Sequence, residues 1–211
     1  MARSGYGHLA RILYLSNARL LLDRADTEWE ECPMATYVAF LRAINLGARR
    51  KVPMSDLVAC LDGAGFSDVA THLATGNVRL RSRHRSTDAA ERAVEKALEA
   101  RFGFDVPTVV LTLEDLRKVV AEAADGVPDV KRQYVTLLKE SPPTDVVHEL
   151  DSWSQPGEGA KVGHRAVHWW ADHDMQGGKL SNAVVEKHLG VATTRTVAVV
   201  RTVWEKWGTD G

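Results

Sequence analysis

Residues 36–44, Thr36-Tyr-Val-Ala-Phe-Leu-Arg-Ala-Ile44, decide how the rest of the chain reads. The run is aromatic and branched, and a short apolar run of that kind is a buried strand. Working outward, Asn45 to Pro53 reads as a loop. Met54 to about Ala64 reads as a helix with Leu57, Cys60 (or Val58) and Leu61 on one face and Gly65 at its C-terminal cap. Phe66 to Ala74 leads into a second strand. Gly76-Asn77 has the composition of a two-residue hairpin turn that needs positive φ, and Val78-Arg-Leu-Arg81 alternates as a strand with one exposed face does. Asp88 followed by Glu91 has the spacing of a helix start. That helix runs to about Phe102 with Ala90, Val94, Ala97, Leu98 and Phe102 facing inward. Val106 to Leu111 supplies a fourth strand.

The order βαββαβ is that of a ferredoxin-like unit, and it sets the fold class as α+β. A second, related α+β unit follows. Thr112 caps a helix carrying Leu116, Val119, Val120 and Ala123, and Asp125-Gly-Val-Pro128 breaks it. Gln133 to Leu138 reads as a strand, Pro142-Pro143 opens a helix to about Leu150, and Glu158 to His164 with Ala166 to Ala171 reads as a hairpin. Lys179 to Leu189, capped by Gly190, and Val197 to Trp207 read as helices. The order βαββα partly echoes the first unit, so an internal duplication is expected, without residue matches to prove it. The expected organisation is therefore an N-terminal extension at 1–33, a ferredoxin-like domain at 34–124, and a second α+β subdomain with C-terminal helices at 125–211. Cys32-Pro33 ends any helix before the first strand, since the position before proline disfavours helical geometry. Met34 stands just ahead of that strand. The expectation is that translation begins there and that residues 1–33 are a disordered tail or an over-extended reading frame.

With 211 residues, 45% hydrophobic and 26% charged, the chain has the composition of a globular protein that buries a core without staples. Cys32 and Cys60 form no CxxC or other paired spacing, so neither a disulfide framework nor a zinc knuckle is expected and a reducing compartment fits. No apolar stretch approaches the roughly 18 residues needed to span a bilayer. Leu9 to Leu22 is interrupted by Arg11, Ser16, Asn17 and Arg19 and is no export signal. A cytoplasmic protein is expected. The net charge of -1 hides an asymmetry: residues 34–86 carry 8 basic against 3 acidic side chains, and residues 87–211 carry 15 against 20. A near-neutral whole excludes a bulk nucleic-acid coater and leaves a basic patch on the first third.

The loop Arg42-Ala-Ile-Asn-Leu-Gly-Ala-Arg-Arg-Lys51 gathers four cations, an asparagine and a flexible glycine between a strand end and a helix start. Backbone N–H groups at such a helix start favour an anion, and arginine grips phosphate or carboxylate with paired hydrogen bonds. Neither a Walker loop nor a dinucleotide fingerprint nor a GxSxG elbow is present. His164, His168 and His173 with Asp172 and Asp174 follow no familiar ligand spacing, so no metal is expected and Asp172-His-Asp174 reads as a polar turn. The tryptophans read as core and interface packing, and Trp169 and Trp170 must point to opposite faces of a strand. Cys60 lies on the core side of its helix and is a poor nucleophile.

Tyr37-Val-Ala-Phe-Leu-Arg-Ala-Ile-Asn-Leu-Gly47, Lys51-Val-Pro-Met-Ser-Asp-Leu57 and Thr75-Gly-Asn-Val78 together resemble the opening of the bacterial domain-of-unknown-function family 1697. Gly178-Lys-Leu-Ser-Asn182, Leu189-Gly190 and Ala192-Thr-Thr-Arg195 resemble its closing pattern. The resemblance runs from about Met34 to Val203. Ala43 and Ala48 stand where the family carries glycines, Thr75 where it carries serine, and Thr196-Val197 where Asn-Trp is usual. The resemblance implies two ferredoxin-like units and no established activity, and it offers no catalytic residue. It picks out Arg42, Asn45, Gly47, Thr75, Gly76, Asn77 and Arg195.

With Lys51 added, these residues are the candidate anion site. The expectation is a non-enzymatic binder, without cofactor, whose partner is RNA or a phosphorylated small molecule, touched by the basic loop and by Arg79, Arg81, Arg83 and Arg85. The alternatives are an enzyme acting on a small anionic substrate, with Arg42 and Lys51 clamping it, and a structural or protein-interaction module. The third gains if Arg42 is buried against a carboxylate.

Overall fold

The computed structural model describes residues 33–47, 50–125, 130, 132–152, 154–172 and 182–209. The expectations for residues 1–32, and those for His173 and Asp174, fall outside the described residues. Met34–Gly211 forms one compact unit.

Strand β1 (Ala35–Leu41) is followed by helix α1 (Met54–Gly63), strands β2 (Ser67–His72) and β3 (Asn77–Ser82), helix α2 (Thr87–Phe102) and strand β4 (Thr108–Thr112). The sheet is antiparallel in the order β2-β3-β1-β4, which makes the first half a ferredoxin-like unit. Helix α3 (Leu113–Ala124) then leads to β5 (Arg132–Leu138), α4 (Thr144–Asp151), a short β6 (Ser154–Gln155), β7 (Glu158–Gly163), β8 (Ala166–Ala171), α5 (Asn182–Leu189), β9 (Ala192–Thr196) and α6 (Val197–Trp207). The second sheet runs β6-β7-β8-β5-β9. Without the added edge strand β6, its order repeats that of the first sheet.

The repeat extends to register. Leu41 pairs with Thr108 and Phe40 with Asn77, as Leu138 pairs with Ala192 and Leu137 with Ala166. The Leu41 amide donates to Gly76 O at 2.8 Å, and the Leu138 amide to Arg165 O at 2.9 Å. Each half also ends in a threonine that caps the next helix. Thr112 accepts from the Asp115 amide in a capping box, and Thr196 from the Val199 amide.

Alternation within β1 shows how the halves join. Tyr37, Ala39 and Leu41 face outward onto α1 and α2, meeting Leu57, Leu61, Ala90, Val94 and Leu98. Val38 and Phe40 face the other way. With Val109 and Leu111 they pack on Leu116, Val119 and Ala123 of α3, on Val200, Val203 and Trp207 of α6, and with Val135, Leu137 and Ala166 of the second sheet. The far face of the second sheet, through Leu138, Val167 and Trp169, packs on Leu150 of α4 and Leu189 of α5. Helices α3 and α6 are thus a central layer shared by two sheets. Among the described residues, no helix is long and apolar enough to cross a membrane.

Four expectations need correction. The turn between β2 and β3 is not Gly76-Asn77. It spans Leu73–Gly76, with positive φ at Leu73 (61°) and Gly76 (77°), and Asn77 is already strand because its side chain is consumed inside the protein. Helix α2 starts at Ser86, whose hydroxyl accepts from the Ala89 amide at 3.2 Å, rather than at Asp88. Strand β9 was not anticipated, because Ala192-Thr-Thr-Arg-Thr196 is short, polar and runs straight into a helix. With it the second half completes the βαββαβ order. The short β6 was likewise not read.

The histidines serve packing between the halves. His164 Nε2 lies 2.7 Å from Asp115 Oδ1, and fully buried His168 lies 3.2 Å from Glu122 Oε2. Burial would raise the Asp115 carboxyl, but the bonds from His164 and Thr112, with Arg165 nearby, hold it below its ordinary value. Burial lowers the His168 imidazole below its usual 6.5, although the Glu122 carboxylate works the other way.

Two measurements test this architecture. Because both sheets share one central layer, Leu116→Ala should cost about 2–5 kcal/mol and lower one cooperative unfolding transition. Separate transitions for the two halves would contradict the shared layer. Below about pH 6.5 the unfolded chain binds a proton at His168 more readily than the folded one, so stability falls on acidification through that point. Melting temperature followed from pH 8 to pH 5 should decline, and His168→Asn should flatten the decline.

Candidate functional site

The site is organised by Arg195 on β9, whose long side chain crosses from the second sheet to the first. Nε donates to Asn77 Oδ1 at 2.7 Å. Nη1 donates to Thr193 Oγ1 and Thr194 O, each at 2.9 Å. Nη2 donates to Leu41 O at 2.8 Å and Thr75 O at 2.9 Å, with Gly76 O at 3.5 Å. A guanidinium has five N–H groups, and all are used. The Phe40 ring lies 5.8 Å away on its inner side. Every one of these partners is neutral. Burial, with no carboxylate to offset it among the described residues, pulls the Arg195 guanidinium down to about 10.

The receiving end is the hairpin and the loop it props. Asn77 is fully buried; its Nδ2 donates to His72 O at 2.8 Å and Thr75 Oγ1 at 3.2 Å, which aims Oδ1 at Arg195. Gly76 is required twice over. Its φ is +77°, and an added Cβ would stand 2.7 Å from Leu41 Cβ and 2.8 Å from Ile44 Cδ1. Asn45, at φ +56°, clamps the β1–α1 loop: Nδ2 donates to Val52 O and Ala74 O, and Oδ1 accepts from the Val52 amide.

Arg42 leaves the end of β1 and meets Glu186 on α5. Nη2 donates to Oε2 at 2.8 Å, while Nε lies 2.7 Å from Oε1 without a well-aligned hydrogen bond. The same Oε1 accepts from the Ala192 amide at 3.3 Å. Between these parts lies a concavity of about 350 Å³ lined by Leu41, Arg42, Ala43, Ile44, Leu46, Thr75 and residues 193–195. Leu46 is 69% exposed at its lip.

Of the eight expected residues, Arg42, Thr75 and Arg195 line the concavity. Asn77 and Gly76 lie behind it and shape it. Asn45 braces the loop and spends its side chain doing so. Gly47 supplies a positive φ of 61° in open space, and Lys51 is exposed and does not line the concavity. The arginine strand does not join this site. Arg79 and Arg81 lie near Asp68 and bound a separate recess with Thr36, while Arg83 and Arg85 lie beyond the far end of β3, on the order of 13 Å or more from Asn77 at the rise of a strand. Glu186, Thr193 and Leu46 were not anticipated. Glu186 is 144 positions from Arg42 and no local spacing announces it.

Residues 34–168 match the family model described as "Protein of unknown function (DUF1697)". The chain belongs to this family. Among solved structures, the conserved bacterial protein SP0830 from Streptococcus pneumoniae is similar, at 20% identity with a TM-score of 0.60, covering 82% of this chain and 98% of that one. At that identity the likeness speaks for the fold alone. No curated protein matches the chain. In this DUF1697 chain, Arg195 and Asn77 carry the contact that ties the second sheet to the hairpin of the first.

The two loop glycines should respond differently to alanine. Gly47→Ala meets only backbone strain, about 1 kcal/mol, because its surroundings are open. Gly76→Ala adds a clash with Leu41 and should cost about 1–3 kcal/mol more. Chemical denaturation of both variants reads the difference, and equal losses would contradict the close approach at Gly76.

Proposed function

We propose that this chain is a non-enzymatic binding protein that takes a small anionic ligand in the concavity at the end of β1. The observation that carries the reading is the Arg195 guanidinium, buried beside an open cavity with no carboxylate partner among the described residues. An isolated buried charge is costly, and an anion placed in the cavity relieves that cost. Arg42 adds a second cation at the wall, paired with Glu186, and that pair is itself partly exposed. Ligand sites are concave and carry a few convergent polar groups on an apolar lining, as here.

Binding fits better than catalysis. The lining residues supply hydroxyls and guanidinium groups but no free general base, and Glu186, which could act as one, is committed to Arg42. A small ligand also fits better than RNA. Ferredoxin-like sheets that bind RNA use an open face, and here Val38, Phe40, Val109 and Leu111 on that face are buried under α3 and α6.

A second reading, a structural or protein-interaction role, is favoured by the saturation of Arg195 and by the Arg42–Glu186 pair. The two readings part on removing one charge of the pair at a time. Under the binding reading, a singly charged anionic probe binds with one-to-one stoichiometry at fixed ionic strength. Arg42→Gln weakens it by about tenfold or more, whereas Glu186→Gln frees Arg42 and tightens it. Calorimetric titration of both variants gives the answer. If neither substitution moves the affinity, or no anion binds, the structural reading prevails.

A further inference from the structure

The repeat of the fold supplies a second copy of this site, and there the charges differ. In the second half the residue following the first strand is Lys139, equivalent to Arg42. Its Nζ lies 2.6 Å from Glu95 Oε1, and that oxygen also accepts from the Thr108 amide at 2.8 Å. Glu95 thus does for Lys139 and Thr108 what Glu186 does for Arg42 and Ala192. The hairpin residue equivalent to Gly76 is Arg165, a buried side chain at φ +49°. Its guanidinium donates to Lys139 O, at the same strand end where Arg195 serves Leu41 O in the first half.

The two sites differ in charge. In the second half Lys139 and Arg165 face three carboxylates: Glu95, Glu91 (3.6 Å from Arg165 and 3.7 Å from Lys139) and Asp115 (3.3 Å from Arg165). In the first half Arg42 faces Glu186, and Arg195 meets no carboxylate among the described residues. Among the described residues, the first site therefore sets two cations against one carboxylate, where its copy sets two against three.

The donors left over suit such a group. Thr75 Oγ1 accepts from Asn77 Nδ2, and Thr193 Oγ1 accepts from Arg195 Nη1. Each hydroxyl already acts as an acceptor, so its own proton remains to be donated, and both residues line the cavity. Arg195 itself has no donor to spare and contributes only its field. Across from these polar groups stand Ala43, Ile44 and the exposed Leu46, which offer an apolar surface and no charge.

We propose that the ligand is a carboxylic acid with an apolar body, its carboxylate in the concavity of the first half. Thr75 and Thr193 donate to the carboxylate, Arg42 and Arg195 balance its charge, and the body lies against Ala43, Ile44 and Leu46. A single negative charge balances the two cations and Glu186. A phosphate, at about −1.5 to −2, exceeds that balance. This inference rests on the reading that an anion enters the cavity at all.

Calorimetric titration of the intact chain at fixed ionic strength with hexanoate, acetate, hexanol, hexyl phosphate and inorganic phosphate tests it. Hexanoate should bind one-to-one, at least about tenfold tighter than acetate or hexanol. Thr75→Val should weaken hexanoate by about tenfold. Leu46→Ser, a change on an exposed lip that leaves the fold alone, should weaken hexanoate and leave acetate unaffected. Binding of hexyl phosphate or phosphate without hexanoate would overturn the carboxylate assignment and leave the anion site standing. Hexanoate binding that ignores both substitutions would also overturn the assignment. Silence from every probe would remove both.

Discussion

A buried guanidinium has to fill every donor or be expelled, and Arg195 fills all of its own with neutral groups from three places. That constraint fixes the end of β1, the shape of the β2–β3 hairpin and the register of β9 relative to the first sheet. It explains why Asn77 is strand rather than turn: its oxygen must face Arg195 while its nitrogen holds the hairpin. It explains Gly76 as well, since a side chain there would drive Leu41 and Ile44 away from the carbonyls that Arg195 needs. The loop behind is braced separately by Asn45, so the concavity keeps its form with no ligand contact required of either asparagine.

The repeated strand order of the two halves makes this contact one of a set. A cation after the first strand of each half reaches a glutamate on the second helix of the other half, Arg42 to Glu186 and Lys139 to Glu95, and each glutamate also holds the amide that begins the last strand. Reciprocal contacts of this kind are the signature of a two-fold interface, here within one chain. The central layer of α3 and α6 completes it with Val119 and Val203 at matching places. The same arrangement buries the sheet faces that would otherwise be open for a partner. Among the described residues, a cavity opens at the strand end of the first half, and Arg165 with its carboxylates stands at the equivalent strand end of the second.

Much of the fold was legible because it depends on local pattern. The apolar run 36–44, the alternation from Val78 to Arg81 and the helical spacing of Ala90, Val94 and Leu98 each report which face of one element is buried, and burial in the core followed. Strand β9 was not legible. A five-residue segment of threonine, alanine and arginine carries no apolar signal, and Thr194 and Arg195 are held by bonds to residues far away in sequence. Gly76-Asn77 misled for a related reason: the dipeptide has the composition of a tight turn, but Asn77 is claimed by a contact 118 positions distant.

The sequence by itself determined the element order of the first half, the α+β class, the family and the identity of the polar residues around the first loop. These follow from periodicity and from short motifs, which are properties of neighbouring residues. Only the tertiary structure decided what those polar residues do. It sorted Arg42, Thr75 and Arg195 onto a cavity wall, turned Asn45 and Asn77 inward, and left Lys51 in solvent. It also placed Glu186 opposite Arg42 and, among the described residues, set no carboxylate beside Arg195. The physical reason is that charge compensation is settled by distance in space, and residues more than a hundred positions apart carry no trace of that distance in their order along the chain.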